Sequence, residues 1–129
     1  MSDYSITPYD DVNNPQYSFY KLYVNGVCQF DDFLKEIERN KSDQKLFSYI
    51  IRYMDCMTDQ IRLPKTKLNH IESNDRTDIF EFKKDRLRVY VLKQKPNVFI
   101  VICGSKATQK KDISVLKSRI KDFPKNYEL

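Results

Sequence analysis

Six consecutive apolar residues, Val98 to Cys103 in NVFIVIC (97–103), constrain this chain most. A strand of that pattern turns apolar side chains to both faces of its sheet, so it is expected to be the central strand of its group. It falls well short of the ~20 residues a membrane-spanning helix needs. Two strand-like segments precede it, DIFEFK (78–83) and LRVYVLK (87–93). The connections Lys84-Asp85-Arg86 and Gln94-Lys95-Pro96 have hairpin length. In the second segment Leu87, Val89 and Val91 point one way, and Arg88 and Tyr90 the other.

Upstream, YSFYKLYV (17–24) is rich in aromatic and β-branched residues and reads as a strand, followed by an Asn25-Gly26 turn. Phe30, Phe33, Leu34 and Ile37 predict a short helix capped by Asp31 and running to about Asn40. A second helix, capped by Ser42 or Asp43, carries the stripe Leu46, Tyr49, Ile50, Tyr53, Met54, Met57 and Ile61. Pro64 stops it, and residues 62–76 read as a polar, basic loop of the length that tends to carry function. Ile113, Leu116, Ile120 and Phe123 predict a last helix over about 111–123, ended by Pro124. Residues 1–16 show no period and read as a loose leader, leaving 17–129 as one domain. The order predicts an α+β domain: a small single antiparallel sheet, with two N-terminal helices and one C-terminal helix packed on it.

Composition removes several function classes. Two glycines cannot build a glycine-rich phosphate loop, and one histidine, His70, excludes zinc fingers and paired-histidine catalysts. Cys28, Cys56 and Cys103 lack CxxC spacing and read as reduced thiols. The acidic N-terminus MSDYSITPYDD carries no apolar segment and does not read as a signal peptide. A cytoplasmic protein is expected, without metal, cofactor or membrane contact.

Charge is divided unevenly. Residues 1–61 hold 6 Lys/Arg against 10 Asp/Glu, whereas residues 62–129 hold 17 against 8. The second half is therefore expected to face an anionic partner, most simply RNA. Arg88, in mid-strand, has no obvious core role. Lys83, Lys84 and Arg86 at the hairpin, with Lys106, Lys110 and Lys111 leaving the central strand, are expected to line one concave face with it. Such a face suits a phosphodiester backbone, and Tyr90 beside Arg88 suits a splayed base. Two ordinary readings stand beside these: an Arg88–Glu81 salt bridge and a packing role for Tyr90.

From Asp78 to Phe123 the chain resembles the C-terminal half of the RelE/ParE toxin superfamily, in its HigB-like group of type II toxin–antitoxin systems. The resemblance rests on Glu81-Phe82-Lys83, Leu87-Arg88-Val89-Tyr90, the apolar strand to Gly104, Lys106, Gln109-Lys110 and the basic helix from Asp112. It implies a RelE-like fold and a ribosome-associated mRNA endoribonuclease in which the 2′-hydroxyl attacks its own phosphate without metal. It also implies a small antitoxin partner of the helix-turn-helix kind. Arg88 and Lys106 match basic positions of the family. Where many members carry two lysines before the arginine, this chain has Ile79 and Glu81; where they carry Tyr or His near the last helix, it has Lys110-Lys111-Asp112. Glu81 then stands as a base and Lys110 as an acid, with His70 as a further option. The alternative is a non-catalytic binding module for gyrase, another protein or RNA.

Overall fold

The structure, a computed structural model, describes residues 3–74 and 77–124. Six strands form one sheet: β1 (Tyr4–Pro8), β2 (Ser18–Val24), β3 (Leu68–Asn74), β4 (Thr77–Lys84), β5 (Leu87–Gln94) and β6 (Asn97–Ser105). Their spatial order is β1-β2-β6-β5-β4-β3. Three helices complete the fold: α1 (Gln29–Ile37), α2 (Lys41–Cys56) and α3 (Gln109–Asp122), the last preceded by a 3₁₀ turn at Lys106–Thr108.

The expected small antiparallel sheet, and with it the RelE-like fold that the resemblance implied, is corrected on two counts. The sheet has six strands, and it is mixed, because β2 runs parallel to β6 with Phe19 opposite Val98 and Tyr20 opposite Phe99. The other four pairings are antiparallel. The reason lies in β6. Every residue from Val98 to Cys103 is buried, so both of its edges and both of its faces need cover. A hairpin partner, β5, covers one edge. The other is taken by β2, the strand before the helical pair, and a βαα…β path returns it parallel.

The two faces carry separate cores. Phe19, Val89, Val91, Val98 and Ile100 pack with Phe30 of α1 and with Phe47, Ile50 and Met54 of α2. Leu22, Ile79, Leu92, Phe99 and Val101 pack with Leu116 of α3 and with Phe123 just beyond it. The helices thus lie on both faces, α1 and α2 on one and α3 on the other.

Local differences have local causes. Residues 4–8, within the expected leader, form β1, paired from Tyr4 with Val24 to Pro8 with Tyr20. Pro8 lacks an N–H and is tolerated because β1 is an edge strand. Residues 68–74 of the expected loop form β3 at the opposite edge, with a bulge between His70 and Glu72. Asp31 does not cap α1; Cys28 holds that position, and Asp31 lies in the first turn, bonded to Lys21 Nζ at 2.9 Å. Asn40, rather than Ser42 or Asp43, caps α2, its Oδ1 accepting from the Ser42 and Asp43 amides. That helix ends at Cys56, so Ile61 lies beyond it. Asn25 and Gly26 both have positive φ, as the turn signal requires. Residues 75–76 and 125–129 of the expected loop and domain lie outside the described residues.

Gly104 is the position where β6 most needs a glycine. A Cβ there would run into Asp112 Oδ2 of α3, with Thr108 Oγ1 at 2.9 Å. The atoms in the way are ends of side chains, so Gly104→Ala is expected to destabilise the fold by only ~1 kcal/mol, the cost of displacing the Asp112 carboxylate from Thr108. Urea unfolding should show that cost shrink in an Asp112→Ala background; an equal cost in both backgrounds would place the strain elsewhere.

Candidate functional site

On the α3 face, cross-strand register sets Glu81 of β4 opposite Tyr90 of β5, Tyr90 opposite Ile102 of β6, and Asn69 of β3 opposite Glu81. One pair of residues along, Lys83 lies opposite Arg88 and Arg88 opposite Gly104. Two-residue periodicity therefore gathers Glu81, Tyr90, Arg88 and Lys83 on one face, as the alternation of β5 implied. All except half-buried Lys83 are buried, with Arg88 8% exposed, Glu81 2% and Tyr90 0%.

These polar groups are unevenly satisfied. Glu81 accepts from Gln109 Nε2 of α3 at 2.8 Å and from Asn69 Nδ2 at 3.3 Å. Arg88 Nη1 donates to the Asp85 and Leu87 carbonyls at 2.6 and 2.8 Å, tying the guanidinium back to its hairpin. Arg88 Nε and the Tyr90 hydroxyl are buried without a hydrogen-bond partner. Each such group costs ~1–3 kcal/mol of desolvation. Burial raises the Tyr90 pKa above its ordinary value, with the Glu81 and Asp112 charges adding to the effect. Glu81 is thus near enough to act on the phenol electrostatically, although it accepts no hydrogen bond of ordinary geometry from it. At neutral pH Tyr90 is a proton-bearing donor. The Arg88–Glu81 salt bridge, the alternative reading of Arg88, is not among the ion pairs of the described residues.

The expected single basic face divides in two. Lys83 shares the α3 side with Arg88, but Lys84 and Arg86 are held on the α2 side. Lys84 Nζ stands 4.5 Å from the Tyr49 ring centroid. Arg86 pairs with Asp43 and reaches Ser42 Oγ at 3.3 Å, at the start of α2. Lys106, Lys110 and Lys111 are exposed around the start of α3, where the Lys106 amide bonds the Arg86 carbonyl at 2.8 Å. His70 lies on the other side of the sheet from Arg88: its Nε2 lies 2.9 Å from Ser73 Oγ and 3.2 Å from Asp78 Oδ1, and its ring packs on Phe80 of the α2-side core. A cleft of about 360 Å³ beside Gly104 includes Glu36, Asp43 and Asp112 against Arg86 alone, a lining unsuited to phosphate.

Sequence reasoning passed over three members of this cluster. Asn69 lay in a presumed loop. Gln109 appeared only as part of a motif, and Asp112 only as the start of a helix. The i, i+3 spacing of Gln109 and Asp112 was the available signal, since it sets both on one side of the first turn of α3. Among the described residues no group of three or more His, Cys, Asp or Glu side chains is arranged to hold a metal, and no helix is long and apolar enough to cross a membrane. Comparison with protein-family models, curated proteins and solved structures finds no match.

Tyr90→Phe removes a hydroxyl that has no partner. It is expected to leave stability at pH 7 unchanged or raised by up to ~1 kcal/mol. A group whose folded pKa is raised contributes stability that is lost as pH climbs through that pKa, so the variant should also flatten the decline above pH 10. Urea titrations at pH 7 and pH 11 check both; a clear loss at pH 7 would reveal a hidden partner.

Proposed function

We propose that this chain is a HigB/RelE-like toxin, a ribosome-associated mRNA endoribonuclease neutralised by a small antitoxin protein. One observation carries the reading: Arg88 and Tyr90 hold unpartnered, buried polar atoms on the face that also bears Glu81, beside the basic start of α3. Buried polar groups without partners are few in native proteins, and a catalytic role is one of the explanations they call for. The unequal charge of the two halves and the motif running from Glu81 to Asp112 support the same reading.

The chemistry follows from the residue types. Glu81 takes the proton of the RNA 2′-hydroxyl, whose oxygen attacks the adjacent phosphorus. The bond from phosphorus to the 5′-oxygen breaks, leaving a 2′,3′-cyclic phosphate, and Lys110 protonates the departing 5′-oxygen. Arg88 stabilises the charge gathered on the phosphoryl oxygens, with Tyr90 as a neutral donor. Lys83, Lys106 and Lys111 hold the backbone. In this scheme Gln109 must swing away from Glu81, because the carboxylate is otherwise covered. That same cover favours the second reading, a non-catalytic module of the same surface that binds RNA or a protein.

Arg88→Ala is expected to lower mRNA cleavage by ~10²–10³, the usual cost of losing one transition-state donor. Glu81→Gln keeps the shape of the side chain and should also abolish cleavage. Lys106→Ala should act more mildly, as Lys110 supplies a second point charge nearby. Inducible expression in a bacterium, with mRNA 5′-end mapping and circular dichroism of each variant, reads this directly. Wild-type cleavage by folded Arg88→Ala and Glu81→Gln would end the assignment. No cleavage by the wild type, with RNA binding that weakens steeply with salt, would favour the binding module.

A further inference from the structure

The opposite face of the sheet holds a second cleft, of about 390 Å³, between the chain that follows α2 and the strands β3 to β5. Tyr17, Met57, Leu63, Leu68 and Phe80 contribute apolar walls, and Ile61, 53% exposed, stands at its mouth. Three cations line it: Lys93, half-buried, and the exposed Arg62 and Lys65.

Lys93 is the unusual member. Its Nζ lies 5.2 Å from the Tyr17 ring centroid and 5.4 Å from that of Phe80, so the ammonium sits between two aromatic faces. Neighbouring carboxylates are engaged elsewhere. Asp78, opposite Lys93 in the β4–β5 register, accepts from Ser73 Oγ and contacts His70 Nε2. Asp59 on the cleft wall is bonded to Lys95, Tyr17 and Gln16. Lys93 is in none of the ion pairs of the described residues. A cation held by π-faces alone keeps most of its capacity for an anion, and a partly enclosed apolar wall strengthens that attraction. The volume lies in the range of small-molecule sites.

We propose that this cleft binds a small organic anion: a carboxylate or phosphate monoester on an aromatic or branched apolar body. The anionic head pairs with Lys93, the body lies against Phe80, Leu63 and Leu68, and Arg62 and Lys65 steer the ligand to the mouth. The site is on the α2 side, across the sheet from Arg88 and Glu81, so it stands independently of RNA cleavage.

The test titrates the full chain with 1-naphthaleneacetate, 1-naphthyl phosphate and neutral 1-naphthaleneacetamide, followed by amide chemical shifts and calorimetry. At least one anion is expected to bind and to move the resonances of Leu63, Phe80 and Lys93, with the neutral amide about tenfold weaker. Whichever anion binds more tightly names the headgroup. Lys93→Gln should weaken the anion about tenfold and leave the amide unchanged. Ile61→Asp, at an exposed position, should also weaken the anion through repulsion. Lys117→Gln, on the far side of the molecule, should change nothing. Equal binding of amide and anion, indifference to Lys93→Gln in a protein folded by circular dichroism, or no binding at millimolar ligand would overturn the proposal.

Discussion

The burial of β6 on both faces is the constraint from which the architecture follows. Its apolar run, Val98 to Cys103, admits no solvated face, so one layer of helices cannot serve it. α1 and α2 cover Val98, Ile100 and Cys103; α3 and the segment ending at Phe123 cover Phe99, Val101 and Ile102. The bulge between Tyr90 and Val91 pairings, which skips Val101, keeps both sets facing their own layer. The parallel entry of β2 is part of the same solution, since it closes the second edge of β6 with a strand already tethered to the first helices.

The α3 layer also explains the polar cluster. Helix α3 crosses the sheet with Gly104 beneath Asp112 and with Gln109 over Glu81, so its first turn is a lid of polar groups rather than apolar ones. Thr108 donates to Asp112 at 2.6 Å, fixing that carboxylate against the strand. Leu116 and Phe123 carry the apolar anchorage two turns and more further along. Packing strength and polar chemistry are thus separated along one helix. A glycine with a carboxylate above it, an engaged glutamate and an arginine tied to its own hairpin meet at the same end of β5 and β6.

Basic residues are distributed by a different rule. Those on β4 and its hairpin alternate between faces: Lys83 joins Arg88, while Lys84 and Arg86 meet Tyr49 and Asp43. On the α2 side cations are mostly consumed by acids and rings of the first half of the chain. The acidic excess of that half is spent partly in this way, through Asp31 with Lys21, Asp43 with Arg86 and Asp59 with Lys95. Among the described residues, the cations outside the ion pairs include those at the start of α3 on one side and Lys93, with Arg62 and Lys65, on the other.

Much of the local structure was legible in residue order alone. Periods of two and of three to four placed β2, β4, β5, β6 and all three helices, and the alternation of β5 set Arg88 and Tyr90 on one face away from Val89. Those patterns are local, because each depends on which side of a single element is buried. The edge strands were not legible. β1 contains Pro8, and β3 carries polar residues and a bulge, so neither repeats an apolar period; pairing with β2 and β4 makes them strands. Nor did the sequence reveal the parallel β2–β6 pairing, which depends on closing a distant edge. It showed a basic second half but could not tell that the sheet would divide those cations between its faces. That outcome belongs to tertiary structure: register decides which side each charge takes, and the two helical layers decide which of them stay buried.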